Sequence, residues 1–174
     1  MRVLETPRLV LRRLTTADAP FILELVNVPA FLRHIGDREV RKLDDARAYI
    51  ANGPVASYER HGFGLWHVAL RTDGTAIGMC GLLKRDTLEH VDIGFAYLPA
   101  WWGQGYAREA AAAVLDYGTR TLGIPRIVAI VSPDNAGSIR VLEHIGLARE
   151  RSLPVNGDGR ETLLYSPAPT RDPP

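Results

Sequence analysis

From Arg8 to Leu14 the chain reads RLVLRRL, apolar and basic positions in turn, the period-two pattern of a strand with one face buried. Beyond it the period lengthens. Thr16 stands where an N-cap belongs, and Phe21, Ile22, Leu25 and Val26 share one helical face, which predicts a short helix to about Val26. Pro29, Gly36 and a charged stretch then break the pattern. It resumes as a helix over Asp44 to Arg60, lined by Ala46, Tyr49, Ile50 and Val55, which Gly53-Pro54 should kink or split. Three strand-like runs follow at 64–71, 76–84 and 89–97. Asp73-Gly74 is a hairpin sequence and residues 85–88 make a second reversal, so the three runs should form an antiparallel meander. Gly94 inside the third points to a bulge or a close backbone approach.

After a loop from Pro99 to Gly105, a helix should run from Gln104 or Tyr106 to Leu122, with Ala107, Ala110, Ala111, Val114, Leu115, Gly118 and Leu122 as its apolar stripe and Gly123 as its end. RIVAIV at 126–131 reads as a buried strand. Asn135 then caps a last helix whose inner face carries Ser138, Val141, Leu142 and Ile145, with Gly146 terminating it. Closing strands near 148–154 and 161–166 flank the turn Asn156-Gly157-Asp158-Gly159, and residues 167–174 read as a flexible tail. This order predicts a mixed α/β sandwich in one domain over residues 1–166, not a doubly wound parallel sheet.

Composition adds mainly exclusions. A formal net charge of +1 gives no whole-chain field for nucleic acid or an anionic membrane. Cys80 is the lone cysteine, which rules out an intramolecular disulfide and a cysteine metal cluster. His34, His61, His67, His90 and His144 lack the paired spacing of a zinc site. Arginines interrupt MRVLETPRLVLRRL before a signal-peptide core forms, and no run approaches the roughly 20 apolar residues that span a bilayer. The expectation is a cytoplasmic protein without metal, nucleic-acid or membrane partners, as a monomer or homodimer.

Segment 97–110, YLPAWWGQGYAREA, sets a strand end, a glycine-rich turn and a helix start in succession. The first helical turn leaves about four N–H groups without partners, and with the helix dipole they form an anion site. Gly103 and Gly105 let a phosphate approach the backbone. A P-loop needs Lys-Ser or Lys-Thr after its second glycine, where this chain has Tyr106-Ala107. A Rossmann fingerprint follows the first strand of a βαβ unit, whereas this turn follows a meander. What remains is a diphosphate gripped mainly by backbone, or an ordinary strand–helix turn.

The chain resembles the GNAT acetyltransferase superfamily, and within it the RimJ/RimL-like branch that acetylates protein N-termini. Three motifs carry the resemblance in order: ETPRLVLRRLTTAD, VDIGFAYLPAWWGQGYAREA and NAGSIRVLEHIGL, spanning roughly residues 5–166. Trp102 stands where the wider superfamily has Gln or Arg, a mark of the branch, and Leu147 replaces a usual aromatic. The resemblance implies a mostly antiparallel sheet of about seven strands, splayed between the fourth and fifth. It also implies acetyl-CoA as co-substrate, its pyrophosphate on the amides of Gly103, Gln104, Gly105, Tyr106, Ala107 and Arg108, beside Trp102. The pantetheine arm would lie between the backbone of Phe95 and Tyr97 on one side and Asn135 on the other. Asn135 also reads as a plain N-cap.

Acetyl transfer to an amine needs an oriented thioester, a neutral amine, a stabilised oxyanion and a proton for the departing thiolate. An α-amine, with pKa near ~8, is partly neutral at pH 7, whereas a lysine amine near ~10.4 is not. The resemblance marks Asp92 as base, with Glu89 and His90 as alternatives; Asp92 also reads as a salt-bridged strand residue. Ser138 is the candidate acid, against packing beneath the arm. Tyr165 and Tyr106 offer phenols, and Cys80 a nucleophile that mid-strand burial would silence. Trp101 covers the cofactor or seats the loop. Arg108 and Arg140 meet phosphates or face solvent. Phe31, Leu32 and Trp66 border the acceptor groove or pack the core. The acceptor is an N-terminal α-amine or a small amine such as a polyamine, amino acid or aminoglycoside. A CoA-binding module without turnover is the reading from another class.

Overall fold

The computed structural model describes residues 1–155 and 159–169. Arg2–Glu5 (β1) folds back antiparallel on Leu9–Arg13 (β2), an eighth strand that the seven-strand expectation missed because only four residues, RVLE, form it at a sheet edge. The first helical segment is capped by Thr15, one residue before the expected Thr16: the Thr15 N–H donates to the Asp18 carboxylate at 2.9 Å. A short 3₁₀ turn then leads into Ala19–Leu25 (α1).

Pro29–His34 (α2) occupies ground read as a break. Pro29 sits at the first helical position, where its missing N–H would have had no partner, so it starts a helix instead of stopping one. Pro54 acts in the expected way. The long helix divides into Leu43–Ile50 (α3) and Ala56–His61 (α4), with a widened π turn over Ala51–Val55 between them.

Leu65–Leu70 (β3), Ala76–Leu83 (β4) and Val91–Tyr97 (β5) form the antiparallel meander. Gly94 makes no bulge, since the β4–β5 register runs unbroken from Gly78↔Tyr97 to Leu83↔Asp92. It is small to clear side chains, for a Cβ there would lie 2.8 Å from Leu83 Cδ1. Tyr106–Asp116 (α5) follows the glycine turn and ends in a π turn to Thr121. Ile127–Val131 (β6), Ala136–His144 (α6), Leu147–Leu153 (β7) and Thr162–Pro167 (β8) complete the chain. The expected turn at 156–159 lies, apart from Gly159, outside the described residues, as do residues 170–174 of the expected tail. Pro167 belongs to β8, and the Ala168 N–H donates to Gly146 O at 2.9 Å.

The strand order is β1-β2-β3-β4-β5-β6-β8-β7 in one sheet, mixed α/β as expected. Strand alternation divides the core between its two faces. Leu14, Ile22, Leu25, Phe31, Ala46, Ile50 and Met79 gather under α1–α3. Trp66, Ile77, Leu82, Ala110, Val114 and Ile127 gather under α5. Among the described residues only β5 and β6 pair in parallel, through Val91↔Ile127 and Asp92↔Val128. Past Asp92, β5 keeps to β4 while β6 turns to β8 through Ala129–Val131. The sheet therefore splays between the fourth and fifth of the strands foreseen, here β5 and β6.

Candidate active site

The glycine turn enters α5 at Gly105, whose φ of +83° sits in the left-handed region that a side chain would resist. Gly105 has no side chain to cap the helix, and the first bond back into it is Glu109 N–H to Gly105 O at 3.0 Å. The N–H groups of Tyr106, Ala107 and Arg108 precede that bond and point out of the helix end. Gly103 also has positive φ, +71°, and nothing lies within 4 Å of where its Cβ would be. The turn is an open cradle of donors.

A cleft of about 660 Å³ runs from this turn into the splay. Phe95, Tyr97, Trp102, Gly103 and Gly105 line it, with Tyr106, Ala107 and Arg108 beside the turn and Asn135 and Ser138 across from β5. Trp101 and Arg140 also line it. The Leu98 N–H donates to Ile77 O on β4, so by alternation the polar groups of Phe95 and Tyr97 point away from β4, toward the splay. One of them is already engaged: Tyr97 O accepts from Trp102 Nε1 at 2.9 Å. Phe95 N–H and C=O and the Tyr97 N–H remain directed to the opening. Asn135 does cap α6, its Oδ1 accepting from the Ser138 N–H at 3.2 Å.

Other expected residues lie elsewhere. Gln104 does not line the cleft; its side chain donates to Ala100 O at 3.1 Å and braces the loop. Asp92 also lies apart from the cleft. It is 1 % exposed and sits where β5 and β6 are still paired, the closed end of the V. Arg85 Nε donates to both its carboxylate oxygens, at 2.9 and 3.1 Å. Burial pushes its carboxyl up, against the pull of Arg85. The salt-bridged alternative is what the structure bears, and the carboxylate does not reach the cleft. Glu89 is exposed and His90 precedes β5, neither lining the cleft. Tyr165, Trp66 and Leu147 are buried in the core. Cys80 is buried, and that burial pushes its thiol far up, which removes it as a nucleophile.

Two sets of residues were not foreseen. The first holds the turn. Glu109 accepts from Thr6 Oγ1 at 2.6 Å, the Arg8 N–H at 2.9 Å and Arg8 Nε at 2.6 Å. Arg8 Nη1 reaches Gln104 O at 2.9 Å, and its guanidinium lies 4.3 Å from the Tyr106 ring centroid. Burial alone would push the Glu109 carboxyl up, but the bonds from Thr6 and Arg8 outweigh it and hold it below its ordinary value. The second set closes the other side. His34 and Ile35, in and just after α2, line the cleft with Asp134 from the β6–α6 loop, beside Phe31, which the sequence already sets at the acceptor groove or in the core. Periodicity around 8–14 and 29–36 could not announce either set, because each depends on partners about a hundred residues away.

Among the described residues, no group of three or more His, Cys, Asp or Glu side chains could hold a metal, and no helix is long and apolar enough to cross a membrane. A family model described as an acetyltransferase (GNAT) domain matches residues 8–148. YoaA of Bacillus subtilis (strain 168), an uncharacterized N-acetyltransferase, is 30% identical over 169 residues, 94% of this chain and 95% of its own. An acetyltransferase from Agrobacterium tumefaciens shares the structure with a TM-score of 0.80 at 29% identity, over 94% of this chain and 92% of its own. RimL, a ribosomal-protein α-N-acetyltransferase solved with coenzyme A, shares the fold with a TM-score of 0.82 at 18% identity, over 99% of this chain and all of its own. GNAT enzymes draw their acetyl group from acetyl-CoA, and a backbone cradle opening into a splayed sheet is the kind of site such a donor needs. With the family model spanning most of its length, this chain belongs to the GNAT family and is an acetyltransferase.

Proposed function

We propose that this enzyme transfers the acetyl group of acetyl-CoA to the α-amine of a protein or peptide N-terminus, as in the RimJ/RimL-like branch. One observation carries the choice of acceptor: the acceptor side of the cleft is apolar, with Val28, Ala30, Phe31 and Ile35. Among the described residues Asp134 is the only carboxylate lining the cleft, and it is already bonded to Arg33 and Ser132. A polyamine needs several uncommitted carboxylates, whereas a single amine beside a small or apolar side chain needs none. An α-amine is also about a tenth neutral at pH 7, against well under a thousandth for lysine, given pKa values near ~8 and ~10.4.

When bound, acetyl-CoA supplies an acyl group activated as a thioester. The amides of residues 106–108 suit its diphosphate, with Arg108 and Arg140 adding positive charge nearby. The outward groups of Phe95 and Tyr97 orient the arm, and orientation alone can contribute roughly 7–11 kcal/mol. Asn135 holds the start of α6, and with it Ser138, whose hydroxyl is the proton source on the cleft wall.

Release of free CoA thiol with a panel of amines tests this reading. Peptides with free N-termini and a small or apolar first residue should turn over fastest. Faster turnover of spermidine, or of an N-capped lysine peptide, overturns the choice of acceptor. Acetyl-CoA binding with no turnover on any amine overturns catalysis itself.

A further inference from the structure

With Asp92 outside the cleft, few groups among the described residues of the cleft wall are placed to accept a proton on the acceptor side. Asp134 is committed: Ser132 Oγ donates to its Oδ1 at 2.7 Å, and Arg33 donates to its Oδ2 from Nη2 at 2.7 Å and Nε at 3.1 Å. These bonds, Ser132 first, hold its carboxyl down at about 2. His144 is exposed at the far end of α6. His34 remains. It ends α2, lines the cleft beside Phe31 and leaves only 17% of its side chain exposed.

We infer that His34 is the proton acceptor for the incoming amine, standing beside Asp134 at the mouth of the splay. This rests on the reading of the cleft as an amine acetylation site. His34 Nδ1 is fully buried and lies 3.4 Å from Asp134 Oδ1, without the alignment of a hydrogen bond. The Nε2 edge is therefore the part of the ring left to face the cleft. The Asp134 carboxylate places a negative charge beside Nδ1 without a hydrogen bond to it, so Nε2 is the ring nitrogen available to accept. The helix end is itself anchored, for Arg160 donates from Nη1 to Arg33 O at 3.3 Å and from Nη2 to Leu32 O at 3.1 Å, holding the last turn of α2.

The protons balance. The ammonium form of the acceptor gives one proton to Nε2, and His34 returns it to solvent. The nitrogen then bonds the acyl carbon as the carbon–sulfur bond breaks with its electron pair going to sulfur, and the second proton shed by nitrogen matches the one sulfur takes up. Among the described residues, the charged and titratable groups around His34 are Asp134 beside Nδ1, Arg33 and Arg160 at its own helix end, and Arg140 and His144 on the α6 wall.

His34→Gln and His34→Ala, assayed with the best amine of the panel, test it. The Gln variant should lose about 100-fold in kcat at pH 7 while its acetyl-CoA Kd stays within about twofold of wild type, general bases contributing roughly 10²–10⁴-fold. The deficit should close as the pH rises and the amine loses its proton unaided. Added imidazole should restore part of the Ala variant's rate. Wild-type kcat in the Gln variant at pH 7, a deficit constant from about pH 6 to pH 10, or no imidazole rescue overturns the assignment. If wild type turns over with any amine and the Gln variant does not lag, His34 alone falls. If wild type turns over with none, the functional reading falls and His34 with it.

Discussion

The glycine turn presents backbone N–H groups from consecutive residues, whereas the opposite wall of the cleft is assembled from side chains far apart in the chain. Arg33 meets Asp134 across 101 positions, and Arg160 reaches back to Arg33 across 127. On the turn, what matters is the absence of side chains at Gly103 and Gly105 and the direction of the peptide groups. On the α2 wall, what matters is the identity of each side chain and of its distant partner. The first wall should suffer most from an added group and the second from a removed one. On the proposed reading, a single fold thus combines a site for a constant ligand, built from the group every residue shares, with a site for a variable ligand, built from groups that sequence can exchange.

The sharpest break of this contrast is Gly105→Glu. It forces a side chain into the left-handed region at a cost of about 1–2 kcal/mol and sets a carboxylate in the anion cradle. Titration calorimetry should show acetyl-CoA affinity falling by at least roughly 100-fold, about 2.8 kcal/mol, with the fold retained by circular dichroism. Affinity near wild type would remove the turn as the diphosphate seat.

Next comes Glu109→Ala, which takes from the turn its tie to Thr6 and Arg8. Losing these charge-assisted bonds should cost about 1–3 kcal/mol of stability, read as a lower melting temperature, and weaken acetyl-CoA binding by about tenfold. Because the folded Glu109 carboxyl is held below its ordinary 4.5, its contribution is present above that pH and is lost as pH falls through the lowered value. The gap in melting temperature between wild type and Glu109→Ala should therefore narrow on acidification below about 4.5. A gap constant with pH would mean that the carboxylate does not hold the turn.

The smallest effect on catalysis belongs to Asp92→Asn. Removing the charge opposite Arg85 should destabilise the fold by about 1–3 kcal/mol, since Arg85 is one-third exposed and can rehydrate. Turnover of the folded variant should stay within about threefold, with its pH profile unmoved. A profile that loses its acidic limb would return Asp92 to the chemistry and remove the contrast between the closed and open ends of the splay.

The meander, the α5 stripe and the Asn135 cap were legible because each rests on neighbours in sequence: a period, a turn dipeptide, a capping residue. The split at Gly53-Pro54 was legible for the same reason, since a missing N–H acts within one helical turn. α2 was not, because Pro29 both breaks and begins helices, and Phe31 is needed in the core under α1 for the second use to win. The setting of Asp92 was not legible, because VDIGF marks a strand but not where that strand parts from its neighbour. Two residues of parallel pairing enclose the carboxylate, and the splay opens only beyond them.

By itself the sequence determined the order of elements and the glycine turn with its unpaired helix end, a candidate anion site. These follow from local rules of periodicity and hydrogen-bond supply, which operate over a few residues. Only the tertiary structure decided which ionisable groups share the cleft: it closed Asp92 behind a strand pair and brought His34 to Asp134. Such meetings depend on where distant segments cross, and burial and charge at the crossing are properties of the folded chain alone.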